Sequence, residues 1–491
     1  MFIQERPNQL KDVEDIRNIF ATKHYVAMDT SQTGRGKTYI ACMLAKSLRL
    51  SLFVMSPKSS RPKWHEVADA YRVPLIKCMT LKGLSGERGN YMKHKYLHRR
   101  DWDEEHKGRI TKRYEFTYTK EFRKLVDEGI LLVIDEVQYC KNASTYNCAA
   151  AELIRGLYPG DTSKGLLMSG TPFDKKTCYS NICKMFGLIG NEKHWSVFNY
   201  STLIQKRGII TFTKKMRSLD NTCPLFRKSP GIKNINGYVK KCWPIIQANL
   251  CTECKLDEDA LPHIIMNGFY RIHDEDKELY EQGLFKLKTI MAGLEQKAGV
   301  LRDSFTNINI ALMMIANAKK NIFVRVAKQI LVEEPNCKVV IFGQFLKMLQ
   351  TICDELSDYE SLYIDGSYSM IDRENVRNEF NNNPYARVLC MSQGIVTGID
   401  LDDKVGDKPR RFLLFPGYNF TDLMQCVGKG DRVGTASITK SIFIYGKDDE
   451  EMTKEKRLLS ALLAKKGVLE DSSGRKIDGI AIDKIRDYIE P

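Results

Sequence analysis

A glycine-rich loop between an apolar strand pattern and a helical pattern constrains the fold of this chain more than any other feature. The residues Y-V-A-M-D at 25–29 lead into T-S-Q-T-G-R-G-K-T at 30–38, and a helical pattern follows. Gly34 and Gly36 allow the backbone to curl around an anion, because glycine tolerates conformations that point successive N–H groups inward. The positive end of the following helix adds to this attraction. The pattern predicts an α/β domain with a phosphate site at the end of a strand.

Further residues of the loop specify the expected ligand. We expect Lys37 to contact the β- and γ-phosphates and Thr38 to bind Mg²⁺. Ser31 occupies the place of the usual first glycine of the pattern, and Thr33 lies inside the loop. The loop is therefore predicted to bind ATP with Mg²⁺ as cofactor.

A second motif, L-L-V-I-D-E-V-Q at 131–138, ends an apolar strand pattern on two acids. Asp135 is placed to hold Mg²⁺ through water, and Glu136 to orient the attacking water. An acidic pair after a strand is also common on protein surfaces. Its position downstream of the phosphate loop favours the catalytic interpretation.

Two stretches of the chain alternate between strand and helix patterns. Strand patterns lie at 25–29, 51–56 and 131–135, and then at 338–343, 387–392, 411–416 and 441–446. Ile322, Phe323, Val326, Ala327, Ile330 and Leu331 recur at helical spacing before the second set. Such alternation predicts parallel sheets with crossover helices. We therefore predict two α/β lobes, at 1–215 and 305–491, joined by a helical connector or projection at 216–304. The tail of the second lobe is predicted to be helical.

The charge of the chain points to an anionic partner. Its 491 residues include 76 lysines and arginines against 61 aspartates and glutamates, a net charge of +15. Nucleic acid is the common partner of such a surplus, and a basic surface that serves solubility is the alternative. No apolar run is long enough to cross a bilayer, and the first residues are too polar for a signal peptide. We expect a soluble intracellular protein, nuclear or cytoplasmic, without a membrane partner.

One segment, at 91–124, is rich in lysine, arginine, histidine and aromatic residues. Cations meet phosphates and aromatic rings stack on bases, so the segment could be an insertion that faces nucleic acid. A solvated loop and helix would have the same composition. The sequence leaves both interpretations open.

A cysteine cluster stands out among the 14 cysteines of the chain: Cys223, Cys242, Cys251 and Cys254. Four thiolates can hold a structural zinc ion. Their spacing is irregular, with a single C-x-x-C, and it also fits small buried side chains in a reducing compartment. We favour ordinary packing over zinc.

The order of the motifs resembles that of superfamily-two helicases, and within them the Snf-type translocases. The resemblance in the first lobe rests on R-P-N-Q at 6–9, the loop at 31–38, M-S-P at 55–57 with Trp64 and Glu66, D-E-V-Q at 135–138 with Lys141 and Asn142, and M-S-G-T-P at 168–172. In the second lobe it rests on V-I-F-G-Q-F at 340–345, I-D-G-S at 364–367 with Arg373, T-G-I-D-L at 397–401, Tyr418 and Asn419, and Q-C-V-G-K-G-D-R-V-G at 425–434. Single motifs are weak, but so many in this order are specific.

The resemblance implies two RecA-like parallel-sheet lobes and assigns roles to further residues. Gln9 corresponds to a glutamine that reads adenine. Arg432 corresponds to an arginine finger, whose guanidinium stabilises the charge of the transferring phosphoryl group. The resemblance adds a set of nucleotide-binding residues from the second lobe: Gly398, Asp400, Gln425, Lys429 and Arg432. The implied activity is a DNA-dependent ATPase that moves along nucleic acid.

Four positions depart from the family pattern. Lys429 stands where the first arginine of its motif is usual, and lysine lacks the bidentate fork of arginine. Ser31 and Gln138 are milder changes, and Gln138 is expected to couple the lobes. Asp400 stands where chromatin remodellers have asparagine.

The S-G-T-P motif, Trp64 and the K-N pair favour duplex DNA as the partner. Two alternatives stay open: an RNA-directed helicase, and a nucleic-acid-binding scaffold with impaired hydrolysis. The chain is compact and shows no histone-reading module. It is therefore expected to resemble the small free-standing members of viruses and phages, which work in a host cell or virion.

Overall fold

The computed structural model describes residues 5–22, 24–86, 95–106, 109–142, 144–158, 160, 162–172, 178–189, 202–223, 232–255, 261–296, 302–396, 399–417, 419–430, 432, 434–447, 455, 464–468 and 470. The chain divides into two compact units. The first comprises Met1–Asp257 with Val468–Arg475, and the second comprises Glu258–Gly467 with Lys476–Pro491.

The first unit contains eight strands among its described residues: β1 (Val26–Asp29), β2 (Ser51–Met55), β3 (Leu75–Met79), β4 (Leu97–His106), β5 (Arg109–Tyr118), β6 (Ile130–Asp135), β7 (Lys164–Met168) and β8 (Cys251–Thr252). Six of them form a parallel sheet in the order β3-β2-β6-β7-β1-β8. The strands predicted at 25–29, 51–56 and 131–135 are confirmed as β1, β2 and β6.

The helices of the first unit are α1 (Pro7–Ala21), α2 (Lys37–Leu48), α3 (Arg61–Tyr71), α4 (Leu81–Ser85), α5 (Lys120–Glu128), α6 (Thr145–Gly156), α7 (Tyr179–Met185), α8 (Thr202–Leu219) and α9 (Ile232–Leu250). They cover both faces of the sheet. Leu132 and Ile134 of β6 pack into one apolar cluster, and Leu131 and Val133 pack into another. A parallel strand that is buried on both faces reads as a continuous apolar run, which explains the sequence of β6.

Strands β4 and β5 form an antiparallel hairpin outside the main sheet. The sequence left open an insertion that faces nucleic acid and a solvated loop and helix; residues 97–106 and 109–118 are strands, so the prediction of a loop is wrong for them. Charged residues fill most of β4, and the alternating aromatic residues of β5, Tyr114, Phe116 and Tyr118, were not recognised as a strand pattern. The base of the hairpin is fixed by Arg99, whose Nη1 donates to the carbonyl oxygens of Ser85 at 2.9 Å and Gly86 at 2.7 Å.

The second unit has its own parallel sheet of six strands: β9 (His263–Arg271), β10 (Lys338–Gly343), β11 (Leu362–Ile364), β12 (Val388–Ser392), β13 (Arg410–Leu414) and β14 (Thr439–Lys447). Their order is β11-β12-β10-β13-β14-β9. The four strands predicted for the second lobe are confirmed as β10, β12, β13 and β14. Two parallel α/β sheets are therefore confirmed as the fold class.

The helices of the second unit are α10 (Lys277–Gln296), α11 (Arg302–Ala318), α12 (Lys320–Glu333), α13 (Leu346–Glu355), α14 (Met370–Asn382) and α15 (Phe420–Val427). The helix predicted from residues 322–331 is confirmed as α12. Within the segment predicted as a connector, α9 contributes Val239 and Cys242 to the core of the first unit. Strand β9 of the same segment pairs along the whole of β14.

A buried ion pair holds one residue of the tail against the second unit. The Glu455 carboxylate accepts from Lys319 Nζ at 2.9 Å and from the Gly446 amide at 2.9 Å. The other predicted tail residues lie largely outside the described part. Within that part, no helix is both long enough and apolar enough to cross a membrane.

Candidate nucleotide-binding site

The predicted phosphate loop lies between β1 and α2, as expected. The loop turns through Gly34 and Gly36, whose φ angles are +88° and +83°, in the left-handed region that favours glycine. The amide of Ser31 donates to Asp29 Oδ1 at 2.8 Å, which fixes the start of the loop. Lys37 is the first residue of α2, and its Nζ donates to the carbonyl oxygens of Ser31 and Gln32, both at 2.9 Å.

Gln9 of α1 lies directly against this loop. Its side chain is buried, and Nε2 donates to the carbonyl oxygen of Arg35 at 3.2 Å. A Cβ at Gly36 would lie 2.2 Å from Gln9 Nε2. Gly36 is therefore required twice, for its conformation and for the close approach of Gln9. The structure brings the two predicted binding residues together.

Ser31 is fully buried, and its hydroxyl has a structural role. Its Oγ accepts from the amide of Cys254 at 2.7 Å, and the neighbouring Thr30 donates to the Thr252 carbonyl oxygen from both N and Oγ1 at 2.9 Å. The loop is thus bonded to the short edge strand β8 and to the residues after it. This contact is absent from the sequence analysis, because 223 residues separate Ser31 and Cys254.

Asp135 is the last residue of β6 and is buried. Burial and, to a smaller extent, the nearby Glu136 together raise its pKa to about 7, although Trp64 and Lys37 oppose the shift. The influence of Lys37 means that this acid lies near the phosphate loop. Parallel strands end at the same edge of a sheet, which is why residues that follow β1 and β6 meet.

Trp64 of α3 positions this carboxylate. Its Nε1 donates to Asp135 Oδ2 at 3.1 Å, and the ring is fully buried. The sequence analysis used Trp64 only as a marker of resemblance. A buried indole N–H needs an acceptor, and this was the one signal that could have pointed to the contact.

The donor chemistry at this edge fits a magnesium ion. Thr38 offers a hydroxyl and Asp135 a carboxylate, the oxygen ligands that Mg²⁺ prefers. Glu136 follows with φ of +56°, an uncommon conformation for a side-chain-bearing residue. A residue keeps a strained backbone conformation of this kind only where the surrounding structure enforces it, and active sites are common examples.

Gln138 joins the acidic motif to the next motif of the first unit. Its Nε2 donates to Glu136 Oε2, and its Oε1 accepts from the Ser169 hydroxyl at 2.6 Å. Ser169 Oγ in turn accepts from the amide of Thr171 at 3.0 Å. The sequence analysis expected Gln138 to couple the lobes, and within the first unit it couples D-E-V-Q to S-G-T-P.

The second unit groups most of its predicted site residues around one ion pair. Arg432 Nη1 lies 2.5 Å from Asp400 Oδ1, and Arg432 Nη2 lies 3.4 Å from the Ile399 carbonyl oxygen. Burial alone would raise the pKa of Asp400, but Arg432 and Lys429 lower it below its usual value. Lys429 and Gln425 are buried. Gly398 lies outside the described residues.

The cysteines considered for zinc do not form one group. Cys223 and Cys242 lie 3.6 Å apart at their sulfurs in one apolar cluster, whereas Cys254 belongs to the cluster on the other face of the sheet. Among the residues that the structure describes, no group of three or more histidine, cysteine or acidic side chains could hold a metal ion. Zinc is therefore unsupported here, and ordinary packing accounts for the buried thiols.

Comparison with known proteins agrees with the order of the motifs. Residues 323–434 match the helicase conserved C-terminal domain. A protein of Acanthamoeba polyphaga mimivirus named "Putative ATP-dependent RNA helicase" is 24% identical over 443 residues, which covers 84% of this chain and 74% of the relative. Together with the ordered motifs, these matches support a resemblance to superfamily-two helicases. The resemblance predicted from the sequence is confirmed.

Two solved structures are also similar. The Sulfolobus solfataricus SWI2/SNF2 ATPase core in complex with dsDNA matches with a TM-score of 0.32 and 16% identity, over 96% of this chain and 94% of that chain. The C-terminal part of the Fun30 ATPase domain matches with a TM-score of 0.31 and 14% identity, over 41% of this chain and 90% of that chain. Both TM-scores are too low to establish a common overall arrangement.

Proposed function

We propose that this chain is an ATP-driven motor that moves along duplex DNA. The observation that carries the proposal is the phosphate loop, where Lys37 and Thr38 lie at the same sheet edge as Asp135 and Glu136. This is the residue set that phosphoryl transfer to water requires. The match of the second unit to a helicase domain supports a motor over an isolated ATPase.

Each group has a role that its geometry supports. Lys37 contacts the β- and γ-phosphates, and Gln9 contacts the base from beside the same loop. A magnesium ion, when bound by Thr38 and Asp135, neutralises charge that develops on the phosphates. Glu136 orients the attacking water, and Gln138, itself held by the Ser169 hydroxyl, holds Glu136 in place.

Arg432 supplies the charge that the first unit lacks. Its guanidinium stabilises the phosphoryl group during transfer, so hydrolysis depends on both units. Binding and release of nucleotide then alternate between two arrangements of the chain, and a motor needs such alternation to step along a strand. The net charge of +15 favours the phosphate backbone as the track.

Duplex DNA is the preferred track because of the motif details. S-G-T-P at 169–172, Trp64 and the Lys141-Asn142 pair follow the Snf-type pattern. Asp400 is less typical of that pattern, and the mimivirus relative carries the name of an RNA helicase. RNA is therefore the second candidate.

Phosphate release by the purified chain tests the proposal. We expect Mg²⁺-dependent turnover that duplex DNA stimulates more than duplex RNA, and displacement of a third strand from a DNA triplex. Lys37→Ala should abolish turnover, while Lys46→Ala on the exposed side of α2 should leave it unchanged. Stimulation by RNA alone would favour the RNA-directed helicase, and no turnover in the parent would favour a scaffold.

Lys429 is expected to limit the rate of ATP turnover. It lies close enough to Asp400 to lower the pKa of that acid, and arginine would add a bidentate fork at this position. We expect Lys429→Arg to raise stimulated turnover, measured under the same conditions. A fall would mean that the buried site is fitted to lysine.

A further inference from the structure

The phosphate loop is bonded to the segment through which the chain leaves the first unit. We call this segment, residues 251–255, the strap. Its strand β8 pairs in parallel with β1, with Met28 opposite Cys251 and Asp29 opposite Thr252. The pairing continues past the strands, where Thr30 bonds the Thr252 carbonyl oxygen twice and Ser31 Oγ accepts from the Cys254 amide.

The strap lies next to the boundary between the units. The first unit reaches Asp257, three residues after Cys254, and β9 of the second unit begins at His263. The strap therefore lies eight residues before the start of β9 in the sequence. The strap and the phosphate loop are connected by the buried hydroxyl of Ser31, which accepts from the Cys254 amide.

Ser31 also contacts the residue that senses phosphate. Its carbonyl oxygen accepts from Lys37 Nζ at 2.9 Å, together with that of Gln32. An ammonium group has three donors and two of them go to these carbonyls, so contacts of Lys37 to both the β- and γ-phosphates compete with the carbonyls. A phosphate is charged and accepts more strongly than a carbonyl, so the competition changes the position of Ser31.

We propose that Ser31 is a positioning residue that passes the nucleotide state of the phosphate loop to the strap, and so to the chain entering the second unit. This inference rests on the proposed ATP-driven function. It also explains why a serine occupies this place in the loop. A glycine or alanine there would permit phosphate binding but would leave the Cys254 amide without this acceptor.

Hydrogen–deuterium exchange of peptides that cover 251–262 tests the relay in the full chain. In the parent, a non-hydrolysable ATP analogue with Mg²⁺ should change exchange at the strap. In Ser31→Ala and Ser31→Gly the strap should exchange faster, and its response to the analogue should disappear. The fold should persist, because β1 still pairs with β8 and Thr30 still bonds Thr252.

Turnover supplies a second readout. The ratio of DNA-stimulated to basal turnover should fall about fivefold in Ser31→Ala, at the low end of ordinary coupling between sites. The matched control Ser47→Ala removes an exposed hydroxyl from the same helix that follows the loop and should change neither readout.

Failure of the relay is distinct from failure of the motor. A parent that binds and hydrolyses ATP without any exchange change at 251–262 overturns the relay alone, as does a Ser31→Ala variant that keeps the parental response. A parent that binds no ATP analogue, measured directly by fluorescence, overturns the proposed function itself.

Discussion

The phosphate loop of the first unit and the Arg432 site of the second unit hold their cations differently. Lys37 donates to two neutral carbonyl oxygens of its own loop at 2.9 Å. Arg432 is paired with a carboxylate, Asp400, at 2.5 Å, and that carboxylate is half-exposed. Lys37 forms stronger hydrogen bonds when a charged phosphate replaces its neutral acceptors, whereas Arg432 must first break its ion pair with another anion. Lys37 can therefore bind a phosphate without breaking an ion pair, whereas Arg432 must first leave Asp400.

The largest expected effect is a loss of turnover without a loss of nucleotide binding when Arg432 is removed. Arg432→Ala should lower kcat about 10³-fold, because arginine fingers contribute at least this much to phosphoryl transfer. Nucleotide affinity should change little, since the phosphate loop remains complete. Arg271→Ala, an exposed arginine of the second unit paired with Asp274, is the matched control. A loss below tenfold would show that Arg432 is not the finger.

The next effect concerns the acid of the first site. Trp64→Phe keeps the buried ring but removes the donor to Asp135, and hydrogen bonds to charged groups contribute about 1.5–3 kcal/mol. We expect kcat to fall about tenfold or more, with a higher Mg²⁺ requirement in a metal titration. Trp243→Phe, in the apolar core of the same unit, should cost stability without changing the Mg²⁺ requirement. An equal Mg²⁺ shift in both variants would contradict a positioning role.

A smaller effect tests the restraint on Arg432 directly. Asp400→Asn removes the anion that Arg432 must leave, so basal turnover should rise about threefold, within the range of a partly exposed ion pair. Phosphate release without nucleic acid is the measurement. A marked fall would mean that Asp400 orients the arginine instead of restraining it.

The smallest effect concerns the free energy of unfolding and the buried acid Asp12 in the first unit. The pKa of Asp12 is raised, whereas nearby cations lower the pKa of Asp400. Burial and, to smaller extents, the nearby Asp29, Asp15 and Glu253 together raise the pKa of Asp12 on α1 from 3.8 to about 8. The native state then holds the proton more tightly than the unfolded state. The free energy of unfolding therefore falls as pH rises from about 4 to about 8.

Asp12→Asn removes this dependence. The difference in Tm between the variant and the parent should grow in favour of the variant up to about pH 8 and stay constant above it. Thermal unfolding at several pH values, without nucleotide, provides the measurement. A Tm difference that is independent of pH would show that Asp12 is ionised throughout.

The sequence predicted the elements whose apolar runs are buried on both faces. Strand β6 is one example, and its two terminal acids made the motif recognisable. The edge elements were harder, because β8 has only two residues and β9 is interrupted by Asn267 and Gly268. The β4–β5 hairpin was missed because charged residues fill most of β4, although Tyr114, Phe116 and Tyr118 alternate along β5.

The nucleotide-binding site was likewise predicted only in part from the sequence. Lys37, Asp135 and Glu136 were predicted because local spacing and neighbouring strands reveal them. The contacts that position them were not, since Trp64 and Asp135 are 71 residues apart and Ser31 and Cys254 are 223 apart. Only the sheet order brings such residues together.

Gly170 of the S-G-T-P motif has a consequence for redesign of this protein. A Cβ at this position would lie 3.0 Å from the Ser31 carbonyl oxygen and 3.0 Å from the Thr33 amide, both backbone atoms. Alanine in place of Gly170 therefore requires the phosphate loop to shift by a few tenths of an ångström. A change in either motif is thus best designed together with a change in the other.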